Sequence, residues 1–326
     1  MTPPPVPPSA EPPDPPRDLP QARPPAPGGE RWRPAAGATL VLDGGLSNQL
    51  ADQGCDLSDQ LWTARLLADD PGQIRAAHTA YARAGADVLI TSGYQAGYEG
   101  FARRGIGRAE ASALLRSSVT LARQAAAERP GIAVAASVGP YGAVLADGSE
   151  YRGRYGRTVR ELTGFHRPRI EAVAEAAPDV LALETVPDID EAEAMLRAAA
   201  PTGLPVWLSY TVEGGRTRAG QPLAEAFALA AGRDEVVAVG VNCCAPQDVL
   251  AAVELAVAVT GKPAVAYPNS GEQWDAAARR WAGPHTFTAE SALAWQAAGA
   301  RLIGGCCRVG PAAIEDLRGR LDRGPG

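Results

Sequence analysis

Arg301-Leu302-Ile303-Gly304-Gly305-Cys306-Cys307-Arg308 is the stretch whose reading decides the fold. A short apolar run ends in two glycines and then delivers two adjacent cysteines, the pattern of a buried strand opening into a loop of close backbone approach. The same grammar occurs upstream in Val237-Ala238-Val239-Gly240-Val241-Asn242-Cys243-Cys244. Two strands therefore end in cysteine.

Outward from these two, the chain alternates short apolar runs with longer Ala/Leu/Arg stretches of helical period. The runs are Thr39–Asp43, Asp87–Ser92, Ile132–Val138, Asp179–Glu184, Pro205–Tyr210, Val236–Asn242, Pro263–Pro268 and Arg301–Gly305. Between them, Leu115, Val119, Ala122 and Ala126 predict one apolar helix face, and Leu250, Val253, Leu255 and Val257 a second, less strictly spaced one. Eight strand–helix units with continuously apolar strands predict an α/β fold, a single (β/α)8 TIM-type barrel. A doubly wound open sheet is the alternative, since alternation does not show closure. In a barrel the site lies where strands end and the following loops begin. Those positions hold Asp43-Gly44-Gly45, Ser137-Val138-Gly139-Pro140, Glu184-Thr185, Asn242-Cys243, Tyr267-Pro268-Asn269-Ser270 and Cys306-Cys307.

Residues 1–35 read differently. Met1–Pro34 holds 14 of the 29 prolines and almost no large apolar side chains, so it cannot bury enough surface to offset its ordering entropy. A disordered tail is expected there, with the barrel domain spanning residues 36–326. The net charge of −6 argues against a nucleic-acid partner held through phosphates. No apolar run reaches a membrane-spanning length and no leader pattern precedes the barrel, so a cytoplasmic, small-molecule protein is expected.

Five cysteines, four of them in two vicinal pairs, do not form a secreted disulfide pattern. Cys243 or Cys244 from the sixth strand can meet Cys306 and Cys307 from the eighth over the end of the seventh. Three thiolates with one open position describe a catalytic zinc site. The same thiols could instead close a four-thiolate structural cage, or lie buried as small apolar side chains. Cys55 has no partner in view. Lys262 is the chain's one lysine and precedes the seventh strand, on the rim away from the site, which argues against a Schiff-base aldolase.

At this point the motifs resemble a known family. Asp43-Gly44-Gly45, Glu184-Thr185-Val186-Pro187, Gly240-Val241-Asn242-Cys243, Tyr267-Pro268-Asn269-Ser270-Gly271-Glu272 and Gly304-Gly305-Cys306-Cys307-Arg308 together resemble the zinc-dependent homocysteine S-methyltransferases. Ser137-Val138-Gly139-Pro140-Tyr141-Gly142, Gly148-Ser149-Glu150-Tyr151-Arg152-Gly153 and Phe165-His166-Arg167-Pro168-Arg169 are similar to the branch that uses S-methylmethionine. The resemblance implies one zinc ion per chain held by Cys243, Cys306 and Cys307, with homocysteine sulfur as fourth ligand. It also implies that Glu184 binds the homocysteine amino group and that Asp43, Gly44 and Gly45 line the amino-acid pocket. Where the family commonly has Thr-Glu, this chain has Asn48-Gln49, one negative charge fewer near the pocket.

The chemistry of the residues agrees. Zinc removes the proton from a bound thiol, and attack of that thiolate on a sulfonium methyl group gives two neutral thioethers, so a dry pocket suffices and no histidine catalyst is needed. A cationic donor favours aromatic faces, for which Trp62, Tyr94, Tyr210, Tyr267 and Trp274 stand in or near strand-end loops. Asn242, which closes the sixth strand, is a candidate substrate contact, and Asn269 and Ser270 are candidates to hydrogen-bond a substrate carboxylate. A single barrel leaves no folate or cobalamin module in this sequence, so a free small donor is expected. S-methylmethionine leads, ahead of S-adenosylmethionine and a betaine-type donor. The reading from a different class is a non-enzymatic zinc or redox sensor built on the vicinal cysteines. Monomer and dimer would look alike in this sequence.

Overall fold

The computed structural model describes residues 37–59, 61–275 and 280–323, and the side chains of 273–281 lie outside that description. The expected tail, residues 1–35, also falls outside it. Eight strands follow in chain order: β1 (Leu40–Val41), β2 (Val88–Ile90), β3 (Ala133–Val138), β4 (Val180–Val186), β5 (Val206–Tyr210), β6 (Val236–Asn242), β7 (Ala264–Tyr267) and β8 (Ala300–Ile303). Each overlaps one of the eight apolar runs. They form one sheet in the order β1-β8-β7-β6-β5-β4-β3-β2, every pair parallel. A parallel bridge from Leu42 to Val88 joins its two ends, which makes the sheet a barrel and excludes the open alternative. Asp43 reinforces the seam, for its Oδ2 accepts the Ile90 N–H at 2.8 Å and its own N–H donates to the Val88 carbonyl at 3.1 Å.

Side-chain alternation along the strands divides the core in two. Leu42, Ile90, Ala135, Ala182, Trp207, Ala238, Val265 and Leu302 fill the barrel interior. Leu181, Leu183, Leu208, Val239, Val241 and Ile303 point the other way and pack with the helices. Trp207 fits inside because its register partners on β4 and β6 are Ala182 and Ala238. The helix Arg108–Ala126 buries Leu115, Val119, Ala122 and Ala126, the face its period predicts. The helix Val249–Thr260 instead buries Val249, Ala252, Val253 and Ala256 and leaves Leu250 39% exposed. That correction has a simple cause: the helix is apolar nearly all round, so its pattern carries almost no phase.

Two short antiparallel hairpins, Val212–Glu213 with Arg216–Thr217 and Gln273–Asp275 with Arg280–Ala282, rise from the C-terminal ends of β5 and β7 and build up the rim. Among the described residues no helix is long and apolar enough to cross a membrane.

Close strand contact sets one strict requirement. A Cβ on Gly240 would lie 2.1 Å from the Val265 carbonyl oxygen on β7, a backbone atom that cannot step aside. Gly240→Ala is expected to cost about 1–3 kcal/mol, read as a lower urea midpoint, and an unchanged midpoint would contradict this packing.

Candidate metal and substrate site

The strand order places the ends of β6 and β8 on either side of β7, so their two cysteine pairs face each other across one strand. Cys243 Sγ lies 3.9 Å from Cys307 Sγ, and the sulfurs of Cys243, Cys306 and Cys307 all lie within 4.8 Å of one another. Zinc–thiolate bonds of about 2.3 Å at tetrahedral angles put sulfurs roughly 3.8 Å apart, so the trio has the spacing of a metal site. Cys244 leaves the group. It packs among the apolar side chains between barrel and helices, where burial pushes its thiol up. Cys55 packs partly buried against that same layer.

The backbone that presents the sulfurs is strained and pinned. Cys243 has φ of 50° and Thr185, at the end of β4, has 58°, left-handed values that cost a non-glycine residue about 1 kcal/mol or more. Asn242 holds both strand ends: its Oδ1 accepts the Thr185 N–H at 2.6 Å and its Nδ2 donates to Thr185 Oγ1 at 2.7 Å. The Cys243 N–H donates to the Tyr267 carbonyl at 3.0 Å. On the other side, Asn269 Oδ1 accepts the Cys307 N–H at 3.1 Å and the Ser270 N–H donates to the Cys307 carbonyl at 2.9 Å. The Ser270 hydroxyl donates to Glu272 Oε2 at 3.0 Å, and Glu272 pairs with Arg308 at 3.2 Å. Asn48 Oδ1 accepts the Arg308 N–H at 2.6 Å, so the departure at that position is used to hold the cysteine loop. Gly45 lies beneath the loop so closely that a Cβ would meet the Cys306 carbonyl at 2.6 Å, and one on Gly44 would meet the Val309 carbonyl at 2.2 Å.

Charge in the mouth is concentrated on sulfur and carboxylate. Hydrogen bonds from Cys306 and Cys307, helped by Tyr151 and Asn269, draw the Cys243 thiol well below its ordinary range, while Cys306 and Cys307 are pushed up by sharing their protons with it. Three converging sulfurs cannot all be anions without a cation between them, and soft thiolate donors suit zinc. Glu184 is buried at the end of β4, accepts a short hydrogen bond from the Ser137 hydroxyl, and is pushed up to about 7 chiefly by burial. Asp43 is buried too, with the Tyr267 hydroxyl donating to its Oδ1 at 3.1 Å, and desolvation raises its carboxyl.

The aromatic candidates separate. Tyr267 lines the barrel interior with its hydroxyl committed to Asp43 and to the Gly44 carbonyl. Tyr94 lies in the mouth within hydrogen-bond reach of the Thr185 side chain. Tyr210 is turned into the helix layer, against Phe227 and the Ala226 carbonyl. Trp62 opens the 3-10 turn Trp62–Arg65 with φ of 47°, half-buried, and among the described residues shares no hydrogen bond or ring contact with the cysteines. The Trp274 side chain lies outside the described residues.

Two contributors escape the sequence reading. The Tyr151 hydroxyl lies 3.1 Å from Cys243 Sγ, and the buried Arg169 guanidinium donates to the carbonyls of Gly93, Tyr94 and Gly139, tying the loops after β2 and β3 together. Both stand in the quoted motif phrases, yet no periodicity says that they point at the mouth. His78 and His166 are buried in helices, His166 against Glu191 at 2.9 Å.

The comparison with known proteins now has a site to bear on. Residues 40–321 match the family model described as homocysteine S-methyltransferase. The homocysteine S-methyltransferase of Escherichia coli is 47% identical over 86% of this chain and 94% of its own length. Homocysteine S-methyltransferase YbgG of Bacillus subtilis is 42% identical over 85% and 93%. The metallated crystal structure of the homocysteine methyltransferase MmuM from Escherichia coli superposes with a TM-score of 0.77 at 44% identity, covering 86% of this chain and 96% of that one. The chain belongs to the homocysteine S-methyltransferase family and is an enzyme.

The geometry separates the two vicinal thiols of β6. Cys243→Ala is expected to lose bound metal, measured by elemental analysis after gel filtration, and Cys244→Ala to keep it. The reverse result would show that the wrong sulfur has been placed in the site.

Proposed function

We propose that the enzyme makes methionine by transferring a methyl group from S-methylmethionine to homocysteine at a zinc ion held by Cys243, Cys306 and Cys307. The observation that carries this reading is the trio of sulfurs within 4.8 Å at the barrel mouth, with buried Glu184 close enough to feel Cys243. Zinc bound there supplies deprotonation, converting a thiol with a pKa of about 8.5 into a thiolate at neutral pH.

The chain's own residues do the rest. Glu184 receives the homocysteine ammonium, whose charge keeps its buried carboxyl ionised. Asp43, Gly44, Gly45, Asn242, Asn269 and Ser270 wall the amino-acid pocket, and Trp62 and Tyr267 offer ring faces to the cationic donor. As the methyl carbon moves, its bond to the homocysteine sulfur forms and its bond to the sulfonium sulfur breaks, with the electron pair left on the donor sulfur. An anion and a cation become two neutral thioethers, so the dry mouth favours the transition state over the separated charges. No proton moves in that step.

Turnover of zinc-loaded enzyme with homocysteine and each donor in turn tests the proposal. S-methylmethionine is expected to exceed S-adenosylmethionine and betaine by about tenfold or more in kcat/KM. A better rate with either competitor would overturn the donor assignment, and chelator-stripped enzyme with full activity would overturn the role of zinc.

A further inference from the structure

Both substrates of the proposed reaction are amino acids, so the mouth must receive two ammonium groups, and Glu184 accounts for one. We infer that Glu150 forms a second ammonium subsite, binding the α-ammonium of the methyl donor and selecting donors that carry one. The inference rests on the reading of the reaction given above.

Glu150 lies in the turn Ser149–Tyr151 of the loop after β3. The turn is firmly built: the Ser149 N–H donates to Asp147 Oδ1 at 2.9 Å, the Gly153 N–H to the Ser149 carbonyl at 2.9 Å, and Arg218 Nε to the Tyr151 carbonyl at 3.1 Å. Gly142 backs it so tightly that a Cβ would stand 2.4 Å from the Glu150 nitrogen. Tyr151 points from this turn onto Cys243, which brings the turn to the edge of the sulfur site. The Glu150 carboxylate acts electrostatically on Tyr94 and Tyr155, and Cys243 acts on it, in agreement with that position of the turn.

Among the described residues its Oε2, which is buried, has no hydrogen-bond partner. The other carboxylates of the mouth are engaged, Asp43 by Ile90 and Tyr267 and Glu184 by Ser137. Arg152, one residue beyond Tyr151, acts on the Glu150 carboxylate from a distance but makes its ion pair with Asp147, at 4.0 Å. A buried, unpaired carboxylate oxygen costs free energy unless a cation meets it. Burial pushes this carboxyl up to about 6, so at neutral pH it is still mainly an anion.

An α-ammonium rather than the sulfonium is the matching cation. The sulfonium loses its charge in the transition state, so a carboxylate held against it would favour the ground state and slow the transfer. The ammonium keeps its charge throughout. Binding it lowers KM and leaves kcat nearly alone.

The test compares S-methylmethionine with dimethylsulfoniopropionate, a sulfonium carboxylate lacking the amino group, as substrate or as competitive inhibitor, in zinc-loaded wild type and Glu150→Gln. Wild type should bind S-methylmethionine about tenfold or more tightly than the other sulfonium. In Glu150→Gln that preference should vanish through a higher KM for S-methylmethionine, with kcat, the KM for homocysteine and zinc content changed less than about threefold. Glu150→Asp should recover part of the preference. Equal loss for both sulfoniums, a preference that survives Glu150→Gln, or no preference in wild type would overturn the subsite. Absence of methionine formation by wild type would instead remove the reaction on which it rests.

Discussion

Repulsion between converging sulfurs is the constraint on which the structure turns. Cys243, Cys306 and Cys307 converge within 4.8 Å, closer than three thiolates tolerate without a cation between them, and a rigid frame holds them there. The frame is the closed barrel. Parallel pairing of β6, β7 and β8 fixes the separation of the two cysteine loops, and the Leu42–Val88 bridge with Asp43 prevents the seam from opening beneath them.

Much of the polar chemistry at the mouth consequently serves the placement of sulfur. Asn242 ties β4 to β6, Asn269 and Ser270 tie β7 to the Cys307 loop, and Asn48 reaches Arg308 just beyond it. The left-handed backbone at Cys243 and Thr185 is the local cost of turning one thiol inward while Cys244 stays in the apolar layer. Asn242 spends both ends of its amide on Thr185, which fixes β4 against β6.

The fold was legible because the strands are continuously apolar and the helices mostly amphipathic. All eight runs became barrel strands, and the helix from Arg108 to Ala126 buries the expected face. The helix from Val249 to Thr260 was legible only as a helix, since uniformly apolar composition conceals which side faces inward. For the site, the strand-end rule brought Asp43, Glu184, Asn242 and the cysteines to one rim, but it could not choose between Cys243 and Cys244. Alternation fails at a left-handed residue, and the choice there came from resemblance. Tyr151 and Arg169 were hidden for a different reason. They lie on a loop and a helix whose positions relative to the mouth depend on tertiary packing, and no local spacing encodes that.

The central claim is an ion gripped by three sulfurs with one position left for substrate. Zinc X-ray absorption on the full chain, before and after homocysteine, measures it directly. The account predicts three sulfurs at about 2.3 Å with one lighter ligand, becoming four sulfurs when homocysteine is added. Four sulfurs before homocysteine, or three that remain three after it, would contradict it.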